Sequence, residues 1–290
     1  MLFRKIKEFF IEQLIFFSGI ASIVFVLLIF FFLLKEGLGL FKTVGLWDFL
    51  SGQFWYPISD PPKFGILPLI LGSLVVTLGA IVIAVPLGIA AAFYIAEVAS
   101  PRVRDVLKSL IEILSAIPSV VLGFIGMMTL VPFIKWIFDL PTGLTALAGS
   151  LLLAFMALPT IISISEDSIN AVPREYKEGA IALGATHWQT LYRVTIFGAL
   201  PGIIAASMLG VGRVIGETMA VMMLTGNAAV IPQSLLEPVR TLTATIAAEM
   251  GETVKGSEHF YALFVIGIVL FVISFAINVT ADVFLHKNRK

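Results

Sequence analysis

Six continuous apolar stretches constrain this chain more than any other feature: about Leu14–Leu34, Pro68–Ala96, Ile113–Ile137, Leu144–Ser165, Ile196–Leu224 and Phe260–Phe284. A helix needs about 20 mostly apolar residues to cross a bilayer, where it must satisfy its own backbone hydrogen bonds. Strands of a membrane barrel alternate polar and apolar residues, and these runs do not alternate. The expected fold is therefore all-α, a polytopic membrane protein with six transmembrane helices. Composition agrees: only 13% of the 290 residues are charged, against about 25% in a soluble domain. A mean hydropathy of +1.02 leaves too little polar surface to cover a globule in water.

Basic residues orient the spans, because Lys and Arg accumulate on the cytoplasmic side. One set of flanks carries Arg4, Lys5, Lys7, Arg102, Arg104, Lys108, Arg174, Lys177, Arg193, Lys287, Arg289 and Lys290. The opposite flanks carry Lys35, Lys42, Lys63, Lys135, Arg240 and Lys255, half as many. Both termini are expected to be cytoplasmic. Secretory signal peptides are also basic and then apolar, but here Lys35-Glu36-Gly37 stands where a small-residue cleavage site is needed, so the first span is read as a retained anchor. Phe3, Ile6, Phe9 and Phe10 form a partial stripe suited to the inner membrane surface.

Two outer loops are long, about Lys35–Leu67 and Thr225–His259. The first, with Trp47, Trp55, Tyr56 and Pro61-Pro62, reads as an irregular, aromatic-anchored segment. Within the second, Thr241–Met250 reads as a short surface or re-entrant helix. Proline recurs after an aliphatic residue at Leu67-Pro68, Ile117-Pro118, Leu158-Pro159 and Leu200-Pro201. Proline is ordinary in membrane helices, yet interior proline kinks a helix, and kinked helices suit a gated path.

Most catalytic chemistry is excluded. The chain has no cysteine, and its three histidines (His187, His259, His286) are isolated, so no metal centre is expected. No G-x-x-x-x-G-K-S/T phosphate loop occurs. Energy for any pumping must come from another chain or an ion gradient, and no cofactor is expected on this one.

The most informative residues are Arg213 and Glu217, in Gly210-Val211-Gly212-Arg213-Val214-Ile215-Gly216-Glu217-Thr218. A spacing of four places them on one face of a continuous helix. An arginine at mid-bilayer costs about 2.5–3.5 kcal/mol on insertion scales, so it faces a partner, a cavity or a pathway. Two readings stand. In one, the pair satisfies itself and locks helix packing. In the other, the guanidinium contacts an oxyanion bidentately, while Glu217 orients it and keeps the site shallow. A carboxylate also accepts a proton from phosphate species but not from sulfate. Gly210, Gly212 and Gly216 allow close helix approach or ligand access.

The longest inner loop, about Glu166–Thr195, contains Arg174-Glu175-Tyr176-Lys177-Glu178-Gly179-Ala180 and continues to Gly184, where a left-handed glycine cap would end a short amphipathic helix. It suits lipid headgroups or a soluble partner. Glu178-Gly179-Ala180, then Gly184 and later Leu200-Pro201, resembles the EAA loop of ABC-importer permeases, with Gly179 in place of the usual first alanine. Arg213-Val214-Ile215-Gly216-Glu217-Thr218-Met219-Ala220-Val221, followed by Thr225-Gly226-Asn227, resembles the corresponding segment of PstC-type permeases of phosphate importers, with Val214 departing from the usual alanine. Phe64-Gly65-Ile66-Leu67-Pro68 and Ile117-Pro118-Ser119-Val120 also resemble that family. The similarity covers about residues 45–285.

That resemblance implies an ABC importer type I permease core over 68–284, preceded by an anchor helix and outer loop (1–67) and followed by a cytoplasmic tail (285–290). It implies a non-hydrolysing subunit that imports phosphate across the inner membrane by alternating access. The partners it implies are a PstA-type permease, a PstB-type ATPase dimer holding ATP and magnesium, and a PstS-type phosphate-binding protein. Glu178, Gly179, Ala180 and Gly184 are then expected to couple to the ATPase, and Arg213, Glu217 and Thr218 to line the substrate pathway. Import of another oxyanion, such as sulfate or molybdate, stays open on the residues alone. So does a secondary transporter or channel gated by the Arg213–Glu217 pair.

Overall fold

A computed structural model describes residues 2–287. The chain starts with one long helix, α1 (Leu2–Gly37), which passes through a 3₁₀ turn, Leu38–Lys42, to α2 (Leu46–Ser51). A two-stranded antiparallel hairpin, β1 (Trp55–Tyr56) and β2 (Lys63–Phe64), pairs Trp55 with Phe64. Next come α3 (Leu67–Phe93), a π turn at Tyr94–Val98, α4 (Pro101–Ala116), α5 (Ser119–Ile137) and α6 (Ala146–Asn170). Two short helices, α7 (Arg174–Ala182) and α8 (His187–Thr190), lead through a second π turn, Leu191–Thr195, into α9 (Ile196–Gly216). The chain ends with α10 (Met219–Leu224), α11 (Leu242–Glu249) and α12 (Glu258–Lys287). Among the described residues, six helical segments are long and apolar enough to cross a membrane, as expected.

Burial ranks the helices. The apolar window of α6 is 61% buried and that of the first span 0%, so α6 is the central post and α1 lies at the periphery. Beyond its first turn, where Pro68 and Leu69 are buried, the buried positions of α3 are Gly72, Val76, Ala80, Ala84, Gly88 and Ala92, one narrow stripe of mostly small residues at i, i+4 spacing that admits α6 closely. Ser150 Oγ of α6 donates to the Val76 carbonyl across that seam at 3.1 Å. Ile161 is wedged between two helices: a Cβ at Gly88 or at Gly210 would lie 2.6 Å from its side chain. Peripheral α1 packs on the last helix, where Phe30 stacks on Phe271 at 4.9 Å.

Four expectations change. The third span begins at Ser119, not near Ile113, because Ile117 and Pro118 leave helical geometry and separate α5 from α4, which buries no residue. The fifth run is two helices, not one, with Glu217 extended between them (φ −71, ψ 134). The first outer loop is ordered rather than irregular. Leu40, Phe49, Trp55 and Phe64 are buried there with Leu242 and Leu263 in an apolar cluster of its own, while Trp47 stays exposed. The helix expected in the second loop forms as α11 and packs inward, with Leu242–Thr245 buried. Finally, the N-terminal stripe belongs to the continuous helix α1, with Phe9 and Phe10 exposed; the side chains of Phe3 and Ile6 lie outside the described residues. Helix α12 reaches Lys287, and residues 288–290 of the expected tail lie outside the described residues. Of the recurring prolines, Pro68 starts α3, Pro118 precedes α5, and Pro159 and Pro201 lie inside α6 and α9.

Candidate substrate pathway and coupling surface

The break after α9 is held from several sides. Thr243 Oγ1 of α11 donates to the Glu217 carbonyl at 2.9 Å, supplying the partner that a continued helix would have provided. Thr218 Oγ1 donates to the Gly216 carbonyl at 3.2 Å. The Glu217 carboxylate accepts from the Ala220 N–H at 3.4 Å, at the start of α10. Glu217 thus turns toward the next helix and away from the α9 face that carries Arg213.

Arg213 is half-buried, and its Nη1 donates to Thr160 Oγ1 of α6 at 3.4 Å. Thr160 is the fifteenth of the 25 residues of α6, which places the guanidinium near mid-depth in the bundle. Among the described residues no carboxylate lies within 4.0 Å of it. Neither the self-satisfying Arg213–Glu217 pair of one reading nor the orienting Glu217 contact of the other is therefore formed among the described residues. The physical reason is the helix break, which removes the one-face geometry that an i, i+4 pair requires. What remains is a cation at mid-depth with, among the described residues, one long bond to a neutral hydroxyl. Such a group has hydrogen-bonding capacity to spare for an anion.

Of the three glycines beside it, Gly210 serves close helix approach. A Cβ at Gly212 or Gly216 would meet nothing within 4 Å. With exposed Leu209, these two mark an open face of α9 that looks out of the subunit.

At the end of the bundle that carries α7, Glu178 and Gly179 are exposed and Ala180 is half-buried. Gly184 takes the left-handed conformation, φ +86. The Gly184 N–H bonds the Ile181 carbonyl and the Ala185 N–H the Ala180 carbonyl, the paired C-terminal closure in which glycine is favoured. A reciprocal Thr186–Gln189 box opens α8 immediately afterwards. Tyr176, Ile181, Leu183 and Trp188 are exposed around this turn, Leu183 at 91%. An apolar cluster of this kind beside charged residues suits contact with a soluble partner or with lipid headgroups.

Sequence reasoning missed a second polar centre, at the opposite end. Glu249 accepts from Trp55 Nε1 at 3.0 Å and from Arg240 Nη1 at 2.6 Å, and bonds His259 Nε2 at 2.8 Å. Arg240 Nε also donates to the Asn227 carbonyl at 2.9 Å. The cluster sits beside an open cavity of about 670 Å³. It ties the first outer loop, the segment after α10, α11 and α12 to one carboxylate. Residues 55, 240, 249 and 259 lie too far apart in the chain for any periodicity to have linked them. Thr160 and Thr243 were missed for the same reason.

Residues 84–290 match the family model described as "Binding-protein-dependent transport system inner membrane component". The chain is 45% identical over 228 residues to the probable ABC transporter permease protein YqgH of Bacillus subtilis, covering 79% of this chain and 74% of that one. It is 36% identical over 259 residues to the phosphate transport system permease protein PstC of Mesorhizobium japonicum, covering 83% and 78%. Among solved structures, a bacterial alginate ABC transporter chain aligns with a TM-score of 0.62 at 18% identity over 93% of both chains. An inward-facing MetNI methionine ABC transporter chain aligns at 0.57 and 19%, covering 77% of this chain and 94% of that one. The chain therefore belongs to the binding-protein-dependent transport system inner membrane component family, as a multi-pass inner-membrane permease subunit of an ABC importer of type I.

Proposed function

We propose that this subunit conducts inorganic phosphate, working with a second, PstA-type permease, a PstB-type ATPase dimer that binds ATP and magnesium, and a PstS-type binding protein. The observation that carries the reading is Arg213: a mid-depth guanidinium with no carboxylate partner among the described residues, next to the open α9 face. That face supports a pathway along the boundary with the partner permease. The similarity to phosphate permeases supports phosphate as the anion. In this reading both termini and α7 are cytoplasmic, and the Glu249 cluster lies outside.

Phosphate released from the binding protein enters from the outer end and meets Arg213, which offers planar, bidentate donors to its oxygens. Glu217 and Thr218, held at the break by Thr243 and Ala220, line the pathway beyond Arg213, where the carboxylate disfavours an anion that stays. A conducting site must attract and also release. Exposed Glu178 and Gly179 with half-buried Ala180, and Gly184 closing the helix behind them, present α7 to the ATPase, whose closure on ATP drives the alternation between outward and inward states. The hydrolytic chemistry belongs to that partner, since this chain has no phosphate loop.

The reading is tested by labelled-phosphate uptake into proteoliposomes holding the complete importer. Excess unlabelled phosphate is expected to abolish the signal, and equal excesses of sulfate or molybdate to leave it nearly intact. ATP-dependent uptake of sulfate or molybdate without phosphate uptake would reassign the substrate, and uptake independent of the ATPase would overturn the importer mechanism.

A further inference from the structure

Helix α7 buries no residue of its own and hangs between the Ala171–Pro173 turn and the left-handed Gly184. A push on so exposed a helix would be absorbed by those two turns unless something else held it. The structure supplies such a tie. Lys177 of α7 forms an ion pair and hydrogen bond with Glu97, and among the described residues no other α7 side chain bonds another element. Glu97 lies in the π turn that ends α3. Arg104 of α4 clamps the same turn, with Nε donating to the Ile95 carbonyl at 2.8 Å and Nη2 to the Ala96 carbonyl. Those last-turn carbonyls lack partners within their own helix and favour a cation. A parallel tie reaches α6, where nearly buried Glu166 accepts from Lys108 of α4 at 2.7 Å and from Asn170 at 2.6 Å. The side chains of Lys177 and Glu97 are only 24% and 12% exposed, so water and salt compete with them less than with a surface pair.

We propose that Glu97–Lys177, buttressed by Arg104 and by Lys108–Glu166, is a rigid joint that makes α7 move as one body with the end of α3. In this arrangement Lys177 and Glu97 are positioning residues for energy coupling. The inference rests on the importer reading above but not on which anion is carried. It gives α7 a route into the core through α3, in addition to the covalent route into α6 and α9. α3 and α9 both pack on α6, so the two routes converge on the helices that carry Thr160 and Arg213.

The absence of cysteine makes the test direct. Spin labels at Leu183→Cys and Val98→Cys, in the complete complex, report the distance between α7 and the end of α3 with and without ATP and vanadate. In the otherwise native chain it is expected to change by less than about 2 Å. In Lys177→Met it is expected to broaden and shift on nucleotide binding. In proteoliposomes, Lys177→Met and Glu97→Gln are expected to lower anion uptake per ATP hydrolysed by about fivefold or more, with binding-protein-stimulated hydrolysis retained. The reciprocal pair, Lys177→Glu with Glu97→Lys, is expected to restore the ratio. A large nucleotide-dependent distance change without the Lys177 substitution overturns the joint, and that arm needs no variant of the pair to assemble. An unchanged uptake-to-hydrolysis ratio in assembled Lys177→Met overturns it as well. Rigid labels with no phosphate uptake would instead sink the phosphate assignment and leave the joint standing.

Discussion

Individual residues carry sharply different roles within one short segment. Gly210 and Gly212 are two apart, yet a Cβ at Gly210 meets Ile161 at 2.6 Å and one at Gly212 meets nothing. Gly210→Ala is expected to destabilise the isolated subunit by about 1–3 kcal/mol, the range for overpacking a tight contact. Gly212→Ala is expected to leave it unchanged or slightly more stable, since alanine is the better helix former by about 1 kcal/mol. Thermal unfolding of both variants in detergent checks the contrast, and equal losses would contradict it. Thr160 is separable in the same way. Thr160→Val removes the acceptor beside Arg213 and should weaken apparent phosphate affinity by about two- to tenfold, as loss of one hydrogen bond of 0.5–1.5 kcal/mol requires. Thr160→Ser should restore it. A loss in maximal rate with KM unchanged, or no rescue by serine, would assign Thr160 to packing alone.

At the scale of elements, caps and clasps decide where the helices stop. Gly184→Ala forces a β-carbon into a φ of +86, at a cost of about 1–2 kcal/mol. It should open the α7–α8 turn to limited proteolysis without shifting overall unfolding. At the other end, Glu249→Gln leaves Arg240 and His259 without their shared carboxylate. A loss of about 1.5–3 kcal/mol is expected for hydrogen bonds to a charged group, read as a lower unfolding temperature and faster cleavage in the first outer loop. Six spans were legible because continuous apolar runs answer to one physical requirement. The Gly184 cap was legible because its signal is local. The break at Glu217 was not: Met219–Leu224 continues the apolar run, and the bond that holds the break open comes from Thr243, 26 residues away. The ordered first outer loop was hidden likewise, since its core is completed by Leu242 and Leu263 from distant segments.

Taken as a whole molecule, the chain is a central post, α6, clasped by α3 and α9, with one polar junction at each end and one cation between them. The junctions hold loops and amphipathic helices to the bundle. Arg213 is a cation within the span that, among the described residues, neither junction pairs. Its importance was legible from the cost of an arginine at that depth, but its partner was not, because the spacing to Glu217 suggested a pair that the broken helix does not make. That cation is the centre of the account, and labelled-phosphate uptake by the complete importer carrying Arg213→Gln, at matched assembly and matched binding-protein-stimulated ATP hydrolysis, tests it most directly. Charged hydrogen bonds of about 1.5–3 kcal/mol predict a loss of about tenfold or more, with Arg213→Lys intermediate because it keeps the charge but not the planar donors. Undiminished uptake by Arg213→Gln would contradict the account and return Arg213 to helix packing.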